Sequence, residues 1–283
     1  MHAVTASHGT TYSGPEPGGI RCARRGGGFS LVELVVVISL LGILAVGSVT
    51  FFGYTLDGYG RSGARADLAA SSMTALARMA SELEVALPNS VRVSDGCVEL
   101  VPVRAVSRYA SIPRSTASTT MTLEAPDASG VAPAAARVAV NPDSAEHVHD
   151  LASGVVSPVA GFSTPDGSGV VTATFASAHA FAEDSPQERV FLVDDPVSYC
   201  IVGTQLFRYA GYGYSTTQPA VADLPTAAPG RALLVTNVDE DVSTFTAASG
   251  ALTRNATVEL RLALADGDDV VDAVRLVHLR HVP

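Results

Sequence analysis

The spacing of apolar and polar residues changes twice along this chain. From Leu34 to Phe52 the sequence LVVVISLLGILAVGSVTFF carries no charged residue. As a helix rising about 1.5 Å per residue it spans roughly 28 Å, the depth of a bilayer core. Gly53, Gly58 and Gly60 follow. Each lowers helix propensity by up to about 1 kcal/mol relative to alanine, so a kink or a locally melted stretch is expected there. Steps of three and four then link Leu68, Ser72, Leu76, Met79, Leu83 and Leu87, while Arg65, Asp67, Arg78, Glu82 and Glu84 fall mostly on other faces. The pattern predicts an amphipathic helix over 57–87, stopped at Pro88 and Asn89 because proline disfavours helical geometry in the residue before it. A membrane-surface helix would carry a richer basic face, so this stripe is expected to pack on a sheet.

Beyond Val91 the period becomes strand-like. Strands are predicted at 98–103, 137–140, 170–175, 190–193, 198–202, 205–209, 232–236, 257–264 and 270–279, with no helices among them. Gly203-Thr204 and Asp266-Gly267-Asp268-Asp269 read as hairpin turns and imply antiparallel pairing. Between Ser111 and Gln187 the chain is rich in Ala, Ser, Thr, Pro, Gly and Asp, and long loops around a few strands are expected. The fold class that follows is α+β, a long N-terminal helix packed on an antiparallel sheet. One sheet or two remain open, since the central region could add a small sub-domain.

The segment ahead of the apolar run narrows the reading. Arg21, Arg24 and Arg25 precede it, which by the positive-inside tendency leaves the N-terminus in the cytoplasm and the body outside. A secretory signal would have a shorter apolar stretch followed by a small-residue cleavage site. Here Gly26-Gly27-Gly28 comes first, then Phe29-Ser30-Leu31-Val32-Glu33 and the apolar run. GFSLVE in this setting resembles the processing site of type IV prepilins and type II secretion pseudopilins. The resemblance implies a leader over 1–28, cleavage between Gly28 and Phe29 by a prepilin peptidase, N-methylation of Phe29, and retention of 29–56 as membrane anchor and filament core. It also implies that the Glu33 carboxylate meets the Phe29 amine of a neighbouring subunit; the alternative is that Glu33 reaches the interface beside the arginines. A body over 88–283 would then lie in the periplasm. The expected partners are the peptidase, other major and minor pilins, the inner-membrane assembly machinery and the bilayer.

Three further stretches, ALPNSVRV at Ala86–Val93, RVFLVDDPVSYCIVGTQLFRYAGYG at Arg189–Gly213 and the ending RLVHLRHVP, are similar to O-type minor pilins of mannose-sensitive haemagglutinin pili. J-type minor pseudopilins share the anchor and the helix-plus-sheet plan. Removal of the leader would leave Cys97 and Cys200 in the exported part, where a disulfide is chemically permitted; two separate buried thiols are the alternative.

Composition removes other classes. A formal charge of -10 argues against a nucleic-acid surface. Three cysteines without paired spacing indicate no structural metal. There is no Gly-x-Ser-x-Gly elbow and no His-Glu-x-x-His helix, and the absence of lysine excludes a Walker loop and a Ser-x-x-Lys nucleophile. No catalytic residue, metal site or cofactor is expected. His147 and His149, His278 and His281, Asp266, Asp268 and Asp269, and Asp194 with Asp195 are weighed as ligands and assigned to loops, strands and turns. Tyr209, Tyr212 and Tyr214 in a glycine-rich stretch motivate a pilus-tip adhesin as the competing function.

Overall fold

The computed structural model describes residue 28 and residues 30–126, 137–248 and 256–279. Two compact units meet between Asp57 and Gly58. Helix α1, Leu31–Glu84, contributes to both and is helical throughout, so the melted stretch expected at Gly53, Gly58 and Gly60 is absent. The alanine-rich sequence that follows, with high helix propensity over 64–80, supports that continuity.

In the first unit the described side chains of α1 are all exposed, and the apolar residues surround the helix instead of forming a stripe. The second half is different. Leu68, Ser72, Ala75, Leu76, Met79, Ala80 and Leu83 are buried along one stripe, as the three-and-four spacing requires. The helix ends at Glu84, three residues before the expected limit. Strand-like contacts capture the next residues: Ala86 bridges Pro102, and the Leu87 N–H donates to the Val101 carbonyl at 2.8 Å.

A β-rich body follows. β1 (Arg92–Ser94) and β2 (Cys97–Leu100) form a hairpin whose turn, Asp95-Gly96, has positive φ at both residues. Asp-Gly is favoured at such a turn, and the dipeptide was the available sequence signal for this unanticipated strand. The next elements are β3 (Val103–Ser111), β4 (Ser118–Glu124), β5 (Arg137–Ala139), helix α2 (Ala145–His149), β6 (Val156–Phe162), β7 (Val170–His179) and β8 (Arg189–Val193). Then come β9 (Val197–Val202), β10 (Gln205–Ala210), β11 (Arg231–Thr236), β12 (Thr244–Ala248), β13 (Thr257–Asp266) and β14 (Asp269–His278).

Pairing sorts the strands into three groups. β1-β2-β9-β10-β11 is an antiparallel sheet, and β12-β13-β14 is a second one. The six strands β3-β4-β7-β6-β5-β8 close into a barrel. Both hairpin turns read from the sequence are present, closed by the pairs Val202↔Gln205 and Asp266↔Asp269. The buried stripe of α1 packs with Val98, Leu100, Tyr199 and Leu206 of the five-stranded sheet and with Val258, Leu260 and Leu262 of the three-stranded one. Leu83, almost fully enclosed, lies in this core. Leu83→Ala is expected to lower the unfolding free energy by about 3 kcal/mol, the usual cost of a large-to-small change at a well-packed site. Chemical denaturation of the detergent-solubilised chain measures it, and a loss below about 1 kcal/mol would show that the helix is not tightly packed there.

The barrel corrects the expectation of long loops and no helices. It occupies one continuous stretch, 103–193, inserted between β2 and β9. The insertion leaves the sheet through neighbouring strands: Leu100 pairs Val197 in the sheet, Val103 pairs Val193, and after a register shift between Val103 and Ala105 the barrel pairing continues with Ala105↔Leu192. Met121, Leu123, Val138, Val171, Phe175, Val190 and Leu192 fill its interior, as small barrels require. A further apolar cluster holds barrel and body together, with Leu87 and Val101 packed among Ala139, Val148, Val155, Val156, Phe191 and Val193.

Candidate functional site

The start of α1 is built by Ser30. Its Oγ accepts a hydrogen bond from the Glu33 N–H at 3.3 Å, and its carbonyl accepts one from the Leu34 N–H at 3.1 Å. Ser30 is therefore the N-cap, and the Ser-x-x-Glu spacing is the capping signature that could have been read from the sequence. Glu33 is exposed in the first turn, where a carboxylate also suits the positive end of the helix dipole. Gly28 stands in open space: a Cβ placed there would meet no atom within 4 Å. Phe29, Arg21, Cys22, Arg24, Arg25 and His281 lie outside the described residues.

The apolar half of α1 suits a lipid environment in its polar groups as well. Ser39 donates to the Val35 carbonyl at 2.8 Å, Ser48 to Leu44 at 2.8 Å, Thr50 to Val46 at 3.0 Å and Thr55 to Phe51 at 2.8 Å. Each hydroxyl hydrogen is thus satisfied within the helix and needs no water. One helix among the described residues is long and apolar enough to cross a membrane.

Residues 23–49 match the prokaryotic N-terminal methylation motif. This supports a type IV prepilin-like or pseudopilin-like chain processed by a prepilin peptidase, and the exposed apolar helix fits membrane anchoring. The motif covers the anchor region and leaves the body unassigned. No curated protein and no solved structure matches the chain significantly.

In the body, Cys97 and Cys200 face each other across β2 and β9 as a directly paired position. Their Cα atoms are 4.1 Å apart and their sulfurs are bonded. His147 and His149 do not form the one-sided pair of an extended segment. They sit on the short helix α2, where His147 is exposed beside Asp143 at 2.9 Å and His149 is buried. Among the described residues no group of three or more His, Cys, Asp or Glu side chains is placed to hold a metal ion. Asp269 pairs with Arg65 of α1 at 2.6 Å, Asp194 with Arg104, and Asp195 with Arg137 at 3.0 Å. His278 is exposed on β14.

The tyrosines proposed for surface binding are occupied elsewhere. Tyr209 is buried. The Tyr212 hydroxyl donates to Glu99 Oε1 at 2.9 Å, and the Tyr214 hydroxyl donates to the Asp194 carbonyl at 3.3 Å. Tyr212 and Tyr214 are half-buried with their hydroxyls bonded within the body, so less open ring area is presented than three exposed tyrosines would give.

Around Glu99 lies a polar cluster that the sequence reading missed. Glu99 is fully buried on β2 and takes hydrogen bonds from Arg92 Nε and from Tyr212. Arg92 also donates to the Thr216 and Ser215 carbonyls, each at 2.8 Å. His149 Nε2 lies 2.8 Å from the Ser90 carbonyl. A signal was present: Glu99 is the one ionisable residue in the otherwise apolar run Cys97–Val101, and such a residue must find a partner when the strand is buried.

Proposed function

We propose that this chain is a minor pilin, a non-enzymatic subunit that joins or primes a type IV pilus of the mannose-sensitive haemagglutinin type after removal of residues 1–28. The observation that carries the reading is the methylation motif placed directly on an apolar helix whose described side chains are all exposed in its own unit. Cleavage ahead of such a helix keeps the anchor, whereas cleavage behind it would discard the anchor. An uncovered helix of this kind finds its packing against lipid and against equivalent helices of other subunits. The narrower assignment to the haemagglutinin-type system rests on the resemblance of 86–93, 189–213 and the C-terminal stretch to O-type minor pilins. A body oriented to the periplasm follows from the arginines of the leader.

Intact-mass and N-terminal analysis of the protein recovered from membranes tests the reading. The expected species begins at N-methylated Phe29; an intact Met1 terminus, or cleavage beyond the apolar run, would remove its basis. For Glu33 the expectation is separation of function. Glu33→Ala should be cut and folded normally yet fall at least tenfold in the sheared filament fraction, because the incoming Phe29 amine loses its counter-charge in a low-dielectric setting. Undiminished incorporation would leave Glu33 with its capping-turn role alone.

A further inference from the structure

The barrel is held to the body by the apolar cluster around Leu87 and Val101 and, beside it, by one histidine. His149 ends α2, which belongs to the barrel insertion between β5 and β6. Its ring is almost wholly buried, and Nε2 reaches across to the Ser90 carbonyl in the segment after α1. An acceptor at that distance requires the proton on Nε2, so neutral His149 turns the Nδ1 lone pair inward. Among the described residues Nδ1 has no hydrogen-bond partner. The nearest carboxylate atom, Glu99 Oε2, is 3.9 Å away, beyond hydrogen-bonding reach.

We propose that His149 and Glu99 form a proton-sensitive latch, which docks the barrel module against the Ser90 segment and the five-stranded sheet when His149 is neutral and loosens on acidification. The charged and titratable groups facing the ring make the direction of the effect. From β2 comes Glu99, which favours a charged imidazole, and from β1 comes Arg92, which opposes it. Arg92 Nε already occupies Oε2, the carboxylate atom nearest the histidine, so much of the attraction is spent within the Arg92–Glu99 pair. From the segment after β10 come Tyr212, bonded to Glu99, and Tyr214, whose ring centre is 6.0 Å from that of His149 and which itself lies under Arg137 at 4.6 Å. On α2 itself, exposed His147 is engaged by Asp143. A second positive charge would therefore enter an enclosed space where, among the described residues, the carboxylate beside Nδ1 is already paired with Arg92.

Burial is the largest influence on His149 and holds its pKa below the ordinary 6.5, outweighing the upward pull of Glu99 and of the Ser90 bond. The undocked ring, in water, titrates near 6.5. Above that pH neither state gains a proton and docking is independent of pH. Between 6.5 and the lower docked value only the undocked state binds a proton, so docking weakens by about tenfold for each pH unit of fall.

Hydrogen exchange on the full chain in detergent, corrected for intrinsic rates, reads this directly between pH 7.5 and 5. The Val101 amide, bonded to Ser90 Oγ, and the Asp150 amide, which closes α2, should exchange about tenfold faster per unit below about pH 6.5, while β13 amides stay unchanged. In His149→Gln the pH dependence should disappear. An unaltered profile in that variant, or equal acceleration in β13, would overturn the latch. Should His149→Gln not fold, the imidazole titration of His149 in the unsubstituted chain decides: a midpoint below 6.5 supports the latch, and one at or above 6.5 overturns it.

Discussion

Gly28→Leu should leave the chain uncut, heavier than the mature protein by its first 28 residues and unmethylated at Phe29. Glycine presents no side chain to obstruct a protease subsite beside the expected scissile bond, and leucine does. The variant is informative because the structure assigns Gly28 no packing role: a side chain there meets open space. Loss of processing would then report on recognition by the peptidase and not on folding of the helix or the body. The expected outcome is near-complete accumulation of precursor on a mass spectrum, with the circular dichroism and the denaturation midpoint of the purified chain unchanged. Normal cleavage of Gly28→Leu would count heavily against processing at this bond. A shifted denaturation midpoint would instead reveal a structural use of Gly28.

The second large effect is expected at the neck of the barrel. Replacing both Cys97 and Cys200 with alanine should lower stability by about 4 kcal/mol. The two residues lie 103 positions apart, and the enclosed loop contains the whole barrel. In the chain-entropy view a crosslink over a loop of that length removes roughly 4 to 5 kcal/mol of freedom from the unfolded state. In the folded state the pair sits in register on β2 and β9, so the alanines should be accommodated there with little rearrangement. Denaturant unfolding of the oxidised wild type, the reduced wild type and the double variant measures the difference. Three coincident curves, together with free-thiol labelling of both cysteines in the oxidised sample, would mean that the protein matures without this bond.

Some of this architecture could be read directly from local sequence. The uncharged run from Leu34 to Phe52 needs no neighbour to become a helix in lipid, because helix formation satisfies its backbone internally. The stripe from Leu68 to Leu83 is set by helical geometry alone. The turns at Gly203-Thr204 and Asp266–Asp269 are likewise made by adjacent residues. Capping by Ser30 and the Asp95-Gly96 turn belong to the same local class and carried recognisable signals, although neither was anticipated.

The remaining features depend on partners distant in sequence. β3 and β4 pair in a hairpin, but closure of the barrel needs β8 to return to β3 and β5 to find β8 as well as β6. Strands such as Ser118–Glu124, rich in threonine and serine, are specified less by their own alternation than by which neighbours cover each face. His147 and His149 differ by two positions, and only the docking of α2 exposes the first and buries the second. The sequence by itself determined the anchor, its processing signal, the packing stripe and the tight turns, since each rests on interactions within a few residues. The tertiary structure alone decided the inserted barrel, the facing of Cys97 and Cys200 and the Glu99–His149 cluster, because burial, register and electrostatic environment are properties of surfaces brought together by folding.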